Sequence, residues 1–337
     1  MRLSKHIFKL FLIFVLSSFF VSCNKSASLS FNAMDTFMTV KSFGPEADKA
    51  NHLLKDKIIT IENYLSTTIE GSDVYRLNHA EEFPVTVNYN TIFPLALSIV
   101  IADRTGGALN PCLYPVTKEW GFTTGEYKVP SDKKIAELLK NTDYKKIDIE
   151  DDQIYMEKGM MVDLGAVGKG FAGDQAIAVL KANGITSAIL DLGGNVQCLG
   201  NKPDGSLWKV GIVNPWNGGI IGSVRVNDTA VITSGGYERY FIAEDGKEYV
   251  HILDPSNGRP VDNDVVSSTI IADYGIYADA LSTATFVMGP EKALELYRRE
   301  RSFEMIMILK DHRIIVTPGI ADKFTTSSPE IKFEVVN

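Results

Sequence analysis

Leu53, Leu54, Ile58, Ile61 and Leu65 recur at helical spacing and predict a helix over residues 45–66. A second apolar run predicts a helix from Thr91 to Arg104, with Pro94 in its first turn and Gly106-Gly107 as its stop. A weaker helix follows Pro130 and Ser131, and another spans 167–182 and leads into a strand at 186–191. Ahead of the first helix, "FNAMDTFMTVKSFG" alternates through Phe37, Thr39 and Lys41 and reads as a strand. "YKKIDIEDDQIYME", from Tyr144, reads as a hairpin.

Beyond Asp191 the pattern shortens. Strands are expected at 195–199, 208–213, 220–226, 229–233, 238–243 and 248–253, punctuated by Gly, Pro and Asn, as a mostly antiparallel meander. After a strand at 265–272, helices start near Ala278 and Pro290, and "FEMIMILK" with "RIIVTP" closes as a hairpin. Strands mixed with segregated helices give an α+β class of largely antiparallel sheets with packed helices, not regular βαβ alternation.

The N-terminus is a separate object. Arg2, Lys5 and Lys9 precede an apolar run from Leu10 to Phe20 that is too short to span a bilayer but suits a signal peptide. It ends in "FVSC", then polar "NKSAS", which resembles a bacterial lipobox, with Phe20 where Leu is usual. The expectation is a signal peptide over 1–22, lipid on Cys23, a tether over 23–30 and one domain over 31–325. The protein would then be exported and membrane-anchored, on the periplasmic face or in the cell envelope.

The 337 residues are 45% hydrophobic and 23% charged, enough apolar chain for an ample core. The net charge of −8 comes without a basic stripe in the mature chain, which excludes nucleic acid as the expected partner. An acidic chain that binds a polyanion must supply positive charge locally, from a metal ion or helix N-termini. Two cysteines remain beyond Cys23, Cys112 and Cys198; they form no disulfide framework, and whether they pair is open. No C-x-x-C or H-x-x-x-H spacing marks a zinc site.

"VDLGAVGKGFAGD" contains a literal G-x-G-x-x-G at Gly168, Gly170 and Gly173, with an acid, Asp191, some way downstream. A dinucleotide fold would need flanking βαβ units, yet a hairpin precedes this stretch and a meander follows. Nor is it a Walker A loop, because Gly170 follows Lys169. Gly165, Gly168 and Gly170 at a helix start still offer an anion site, with Asp163 and Lys169 beside them. Tight packing between strand and helix would explain the glycines, though not those two charges.

"YADALSTATFVMG" places Asp279, Ser282 and Thr283 on one face of a helix start, a set of hard oxygens suited to Mg²⁺ or to simple capping and packing. His251 lies on an apolar strand before the turn Asp254–Gly258, as a core residue or a functional one. "DLGA" and "DLGG" recur at 163–166 and 191–194.

"AMDTFM", "GGALNP", "VDLGAVGKGFAGD", "DLGGNV", "TSGGYERYF", "HILDPSNGRPV" and "ADALSTATFVMG" stand in an order that resembles the FAD:protein FMN transferases of the ApbE family, from about Phe31 to Pro318. The resemblance implies an ApbE-like fold and a Mg²⁺-dependent transferase. It would cleave FAD, join FMN to a Ser or Thr hydroxyl of a partner protein and release AMP. It implies metal ligands at the Ala166 carbonyl, Asp279 and Thr283, with Ser282 where some relatives carry a second acid. Met34, Ala108, Leu109, Asn110, Asp163, Lys169 and His251 match FAD-contacting positions. Asp35 replaces the usual Gly after Met34, and Thr68 stands near a position often aromatic. His251 is the candidate base, its rate expected to rise with pH through the imidazole range, and Asp279 the second catalytic residue. The acceptor pattern implied, Asp-x-x-Ser/Thr-Gly-Ala-Ser/Thr, has no match in this chain. An FAD pyrophosphatase and a non-catalytic FAD-binding lipoprotein are the alternatives.

Overall fold

The computed structural model describes residues 25–244 and 246–337, so the signal segment and Cys23 lie outside the described residues. The chain opens with a hairpin of β1 (Ser26–Ala33) and β2 (Thr36–Phe43). Met34 and Asp35 form its two-residue turn with φ of 51° and 57°, a left-handed conformation that Asp tolerates better than most side chains. Residues expected to be tether are therefore strand from Ser26 onward. Ala27, Leu29, Phe31 and Ala33 alternate onto the core, a period-two signal that the small serines between them obscure.

Four longer helices follow: α1 (Ala47–Leu65), α2 (Tyr89–Arg104), α3 (Gly165–Ala182) and α4 (Gly275–Glu300). In α1, Leu54, Ile58, Ile61 and Leu65 are buried, whereas Leu53, a residue off that stripe, is 41% exposed. α2 starts before Thr91 because Asn88 Oδ1 accepts from the Asn90 amide at 2.9 Å, which leaves Pro94 beyond the first turn. α4 merges the two expected helices, broken at Gly289 (φ 78°, ψ 172°) where Pro290 restarts it.

Besides short strands at Val85–Thr86, Asp148–Glu150, Gln153–Tyr155, Leu253–Asp254 and Arg259–Pro260, the chain forms β3 (Ser187–Leu192), β4 (Asn195–Leu199), β5 (Trp208–Val213), β6 (Ile220–Val226), β7 (Thr229–Gly235), β8 (Tyr240–Ile242) and β9 (Glu248–Val250). After them come β10 (Val265–Ala272), β11 (Glu304–Leu309), β12 (Ile314–Val316), β13 (Phe324–Thr326) and β14 (Glu334–Val335). A nine-stranded sheet runs in the order β1-β2-β3-β4-β7-β10-β11-β12-β14, antiparallel except for the last pair. β5 and β6 leave it and form a three-stranded sheet with β13. The expected meander is thus split between three sheets, since among the described residues β8 and β9 pair with each other alone, and β4 pairs with β7 over the excursion. The two strands beyond residue 322 also extend the fold past the expected boundary at 325.

Around β10 and β11 the large sheet is buried on both faces. Met305, Met307 and Leu309 face α1, α3 and α4, while Ile306 and Ile308 face Trp208, Val224 and Phe324. That double burial explains the unbroken apolar run in "FEMIMILK". A smaller cluster around Trp120, Phe122 and Leu253 lies apart, tied by Trp120 Nε1 donating to the Gly258 carbonyl at 2.9 Å.

Candidate functional site

α3 and α4 begin side by side, and glycine sets how closely they approach. A Cβ on Gly170 would stand 2.3 Å from the Gly275 oxygen and 2.7 Å from Asp279 Cβ; one on Gly173 would stand 2.2 Å from Gln197 Nε2. Gly170 and Gly173, three apart on one helical face, therefore serve helix packing. Gly168 faces Met34 and Leu65, and only Gly165 opens to solvent. This corrects the expectation that Gly168 and Gly170 leave room for a ligand: they lie inside α3, not in a loop ahead of it. Asp174 locks the second helix in place, accepting from the Gly275 and Ile276 amides at 2.6 and 2.9 Å. Burial pushes its carboxyl up to about 6, against the pull of those two amides.

Asp279 is 4% exposed, and its Oδ2 accepts from the Gly170 amide at 2.8 Å. In a regular helix that amide faces the Ala166 carbonyl, so carboxylate and carbonyl flank one N–H. Burial raises the Asp279 pKa, opposed in turn by Lys169, the Gly170 amide and Asn195. Thr283, one turn on, shares the face of Asp279, and its Oγ1 lies 3.2 Å from Ser234 Oγ. Ser282 Oγ donates to the Asp279 carbonyl at 2.8 Å and meets Ser234 Oγ at 2.8 Å. A carbonyl only accepts, so the Ser282 proton is committed and Ser234 donates to it. Ser282 is thus turned into the sheet, away from the metal role expected of it.

Lys169 is the shared charge of the site. Its charge opposes the rise in the carboxyls of Asp163, Asp279 and Glu238 and disfavours the charged form of His251. Asp163 accepts from the Gly165 amide at 2.8 Å, and burial outweighs this to raise its pKa. Glu238 reaches solvent, yet desolvation of its carboxyl pushes it up to about 7, with Lys169 opposing and Asp279 adding to the rise. His251 Nδ1 lies 3.0 Å from the Arg239 carbonyl. Since the carbonyl must accept, Nδ1 carries the proton and Nε2 keeps its lone pair. Burial, then Arg239 and Lys169 opposing the ring's charge, brings the imidazole down to about 4. His251 is neutral at pH 7.

Met34 reaches the same end of the molecule, its amide held by Glu62 Oε1 at 2.7 Å and its Cε close to Gly168. Leu109 is buried beside half-buried Ala108. The Asn110 side chain is occupied at both ends, donating to the Thr142 carbonyl at 2.9 Å and accepting from the Cys112 amide at 2.8 Å. It braces the loop that reaches Asp163, whose amide donates to the Pro111 carbonyl at 2.8 Å. Thr68 is exposed in the loop after α1. Among the described residues no three His, Cys, Asp or Glu side chains group as a metal cluster, so a cation here would rely on the carbonyl and hydroxyl donors as well. A cavity of about 550 Å³ lies behind the α4 cap, lined by Phe93, Phe171, Asp174, Gln197 and Tyr274, and does not include Asp279.

Sequence reading missed Ser234, Glu238, Arg239, Asp174 and Gln197. "TSGGYERYF" did stand out, but nothing local said that its Ser would meet α4.

Residues 34–307 match the model of the ApbE family. An FAD:protein FMN transferase of Treponema pallidum is 33% identical over 86% of this chain and 86% of its own length. The ApbE protein of Thermotoga maritima superposes with a TM-score of 0.80 at 31% identity, covering 86% of this chain and 96% of that one. The apo flavinyl transferase ApbE of Pseudomonas stutzeri gives 0.76 at 27%, covering 90% and 94%.

Proposed function

Because this chain belongs to the ApbE family, a family of flavin transferases, we propose that it transfers FMN from FAD to a Ser or Thr hydroxyl of a partner protein and releases AMP. The observation that carries this reading is the Gly170–Asp279 contact, which sets a buried carboxylate against the start of α3, next to Lys169 in the chain.

The donors fit a magnesium ion: the Asp279 carboxylate, the Ala166 carbonyl and the Thr283 hydroxyl are hard oxygens, and a cation would relieve the desolvation that raises Asp279. When bound, such an ion neutralises charge on the phosphoryl oxygens and on the leaving phosphate. Lys169 adds a second positive charge, and Met34 offers an apolar surface at the turn for the flavin ring. His251 Nε2 takes the proton as the acceptor oxygen bonds to the FMN phosphorus. The bond from that phosphorus to the bridging oxygen breaks, and AMP leaves with the bonding pair. Positioning and charge neutralisation dominate such transfers. The lipobox-like segment supports export and anchoring through Cys23, which Cys23→Ser would abolish.

The test is the intact mass of an acceptor after incubation with FAD and Mg²⁺. Wild-type protein adds one FMN; Asp279→Ala and EDTA each reduce the yield by orders of magnitude. An acceptor left unmodified by wild-type protein refutes the reading.

A further inference from the structure

We infer that Ser234 is a positioning residue for the metal: it takes the Thr283 proton and so leaves the lone pairs of Thr283 Oγ1 free for a cation. This rests on the magnesium reading above. Three hydroxyls connect β7 to α4 here. Ser234 Oγ lies 3.2 Å from Thr283 Oγ1 and 2.8 Å from Ser282 Oγ, and Ser282 Oγ donates to the Asp279 carbonyl at 2.8 Å.

Each hydroxyl has one proton, which fixes the direction of the chain. The Ser282 proton is committed to the carbonyl, so Ser282 accepts from Ser234. The Ser234 proton is then committed as well, so Ser234 accepts from Thr283. A hydroxyl holds a cation through its oxygen, and its proton must point elsewhere. For Thr283 that direction is Ser234.

The helix itself offers Thr283 a poorer choice. A Thr inside a helix can turn its hydroxyl back on the carbonyl four residues earlier. Thr285 does so, donating to the Leu281 carbonyl at 2.7 Å. For Thr283 that carbonyl belongs to Asp279, where Ser282 already donates. Ser282 is fully buried, whereas Thr283 is half-buried.

Ser268 provides a comparison within the same layers. It stands opposite Ser234 in the β7–β10 ladder, and its Oγ lies 2.7 Å from Thr285 Oγ1. The Thr285 proton is committed to Leu281, so Ser268 donates. Both serines tie the sheet to α4, but of the two only Ser234 reaches a residue of the proposed metal set.

The probe is Mn²⁺ in place of Mg²⁺, its affinity for the intact protein measured by electron paramagnetic resonance without FAD. Thermal unfolding and the Mg²⁺ dependence of transfer are measured alongside. Ser234→Ala should weaken Mn²⁺ binding by about tenfold or more, the usual scale for a group that orients a metal ligand. The KM for Mg²⁺ should rise in step, with kcat near wild type at saturating Mg²⁺. Ser282→Ala breaks the chain one hydroxyl further on and lets the Ser234 proton turn on Thr283. It should weaken Mn²⁺ binding too, and it carries the test if Ser234→Ala does not fold. Ser268→Ala removes a matching bond between strand and helix and should leave Mn²⁺ affinity unchanged. Wild-type affinity in folded Ser234→Ala, or an equal loss in Ser268→Ala, overturns this inference alone. If wild-type protein binds no Mn²⁺, or Asp279→Ala binds it as tightly, the magnesium reading falls and the inference falls with it.

Discussion

The amide of Gly170 donates to Asp279 Oδ2 at 2.8 Å, joining two helices whose contact residues stand 109 positions apart. The contact exists because Gly170 has no side chain: a Cβ there would meet the Gly275 oxygen at 2.3 Å, and backbone cannot rotate away. Gly170→Ala should therefore destabilise the fold by about 1–3 kcal/mol or more, as overpacking does, and weaken transfer as well. Thermal unfolding decides it, because a glycine serving only ligand approach would leave the midpoint unchanged.

Asp174 makes a second demand on the same junction. It caps α4 with both oxygens, and Asp174→Ala leaves two helix amides unpaired. The loss should be about 1–2 kcal/mol, at the upper end for a cap. Transfer should drop further than stability does, since α4 carries Asp279 and Thr283. A variant with full activity would show that the cap does not position the site.

Much of this was legible in the chain. Leu54, Ile58, Ile61 and Leu65 marked α1, and "FEMIMILK" with "RIIVTP" marked a hairpin. Asp279, Lys169 and His251 stood out as chemistry before any fold was known. The pairing of β4 with β7 did not, because nothing within β5 or β6 says which sheet they join. The glycine motif was visible but misassigned: local spacing is the same whether the missing side chain admits a phosphate or a helix. Ser234 and Glu238 gain their meaning only from what α4 and Lys169 bring beside them.

The half-buried position of His251, its ring beside Arg239, changes its expected pH behaviour. Only neutral imidazole accepts a proton, and burial brings the folded pKa from 6.5 down to about 4. The neutral form is thus already complete across the usual imidazole range, and the rate should be flat there, falling only as pH drops toward that lowered value. His251→Ala should keep FAD binding and slow transfer by about 10²- to 10⁴-fold. A wild-type midpoint at the unperturbed imidazole value, or near-normal single-turnover transfer by the variant, would remove His251 as the base.

Cys112 and Cys198 are both free and buried, and desolvation pushes each thiol up to about 12. Neither should react with iodoacetamide at about pH 8 in the native protein, since the thiolate is the nucleophile. Both should react once it is unfolded. Labelling of the native protein at either site would contradict this burial.

The central claim is that FAD is split by an acceptor hydroxyl rather than by water. Its most direct measurement is the ratio of acceptor-bound FMN to AMP in one reaction, with free FMN quantified alongside. The account predicts one FMN on the acceptor for each AMP released, and little AMP when the acceptor is omitted. Equal amounts of free FMN and AMP, formed at the same rate with or without acceptor, would contradict it and identify a pyrophosphatase.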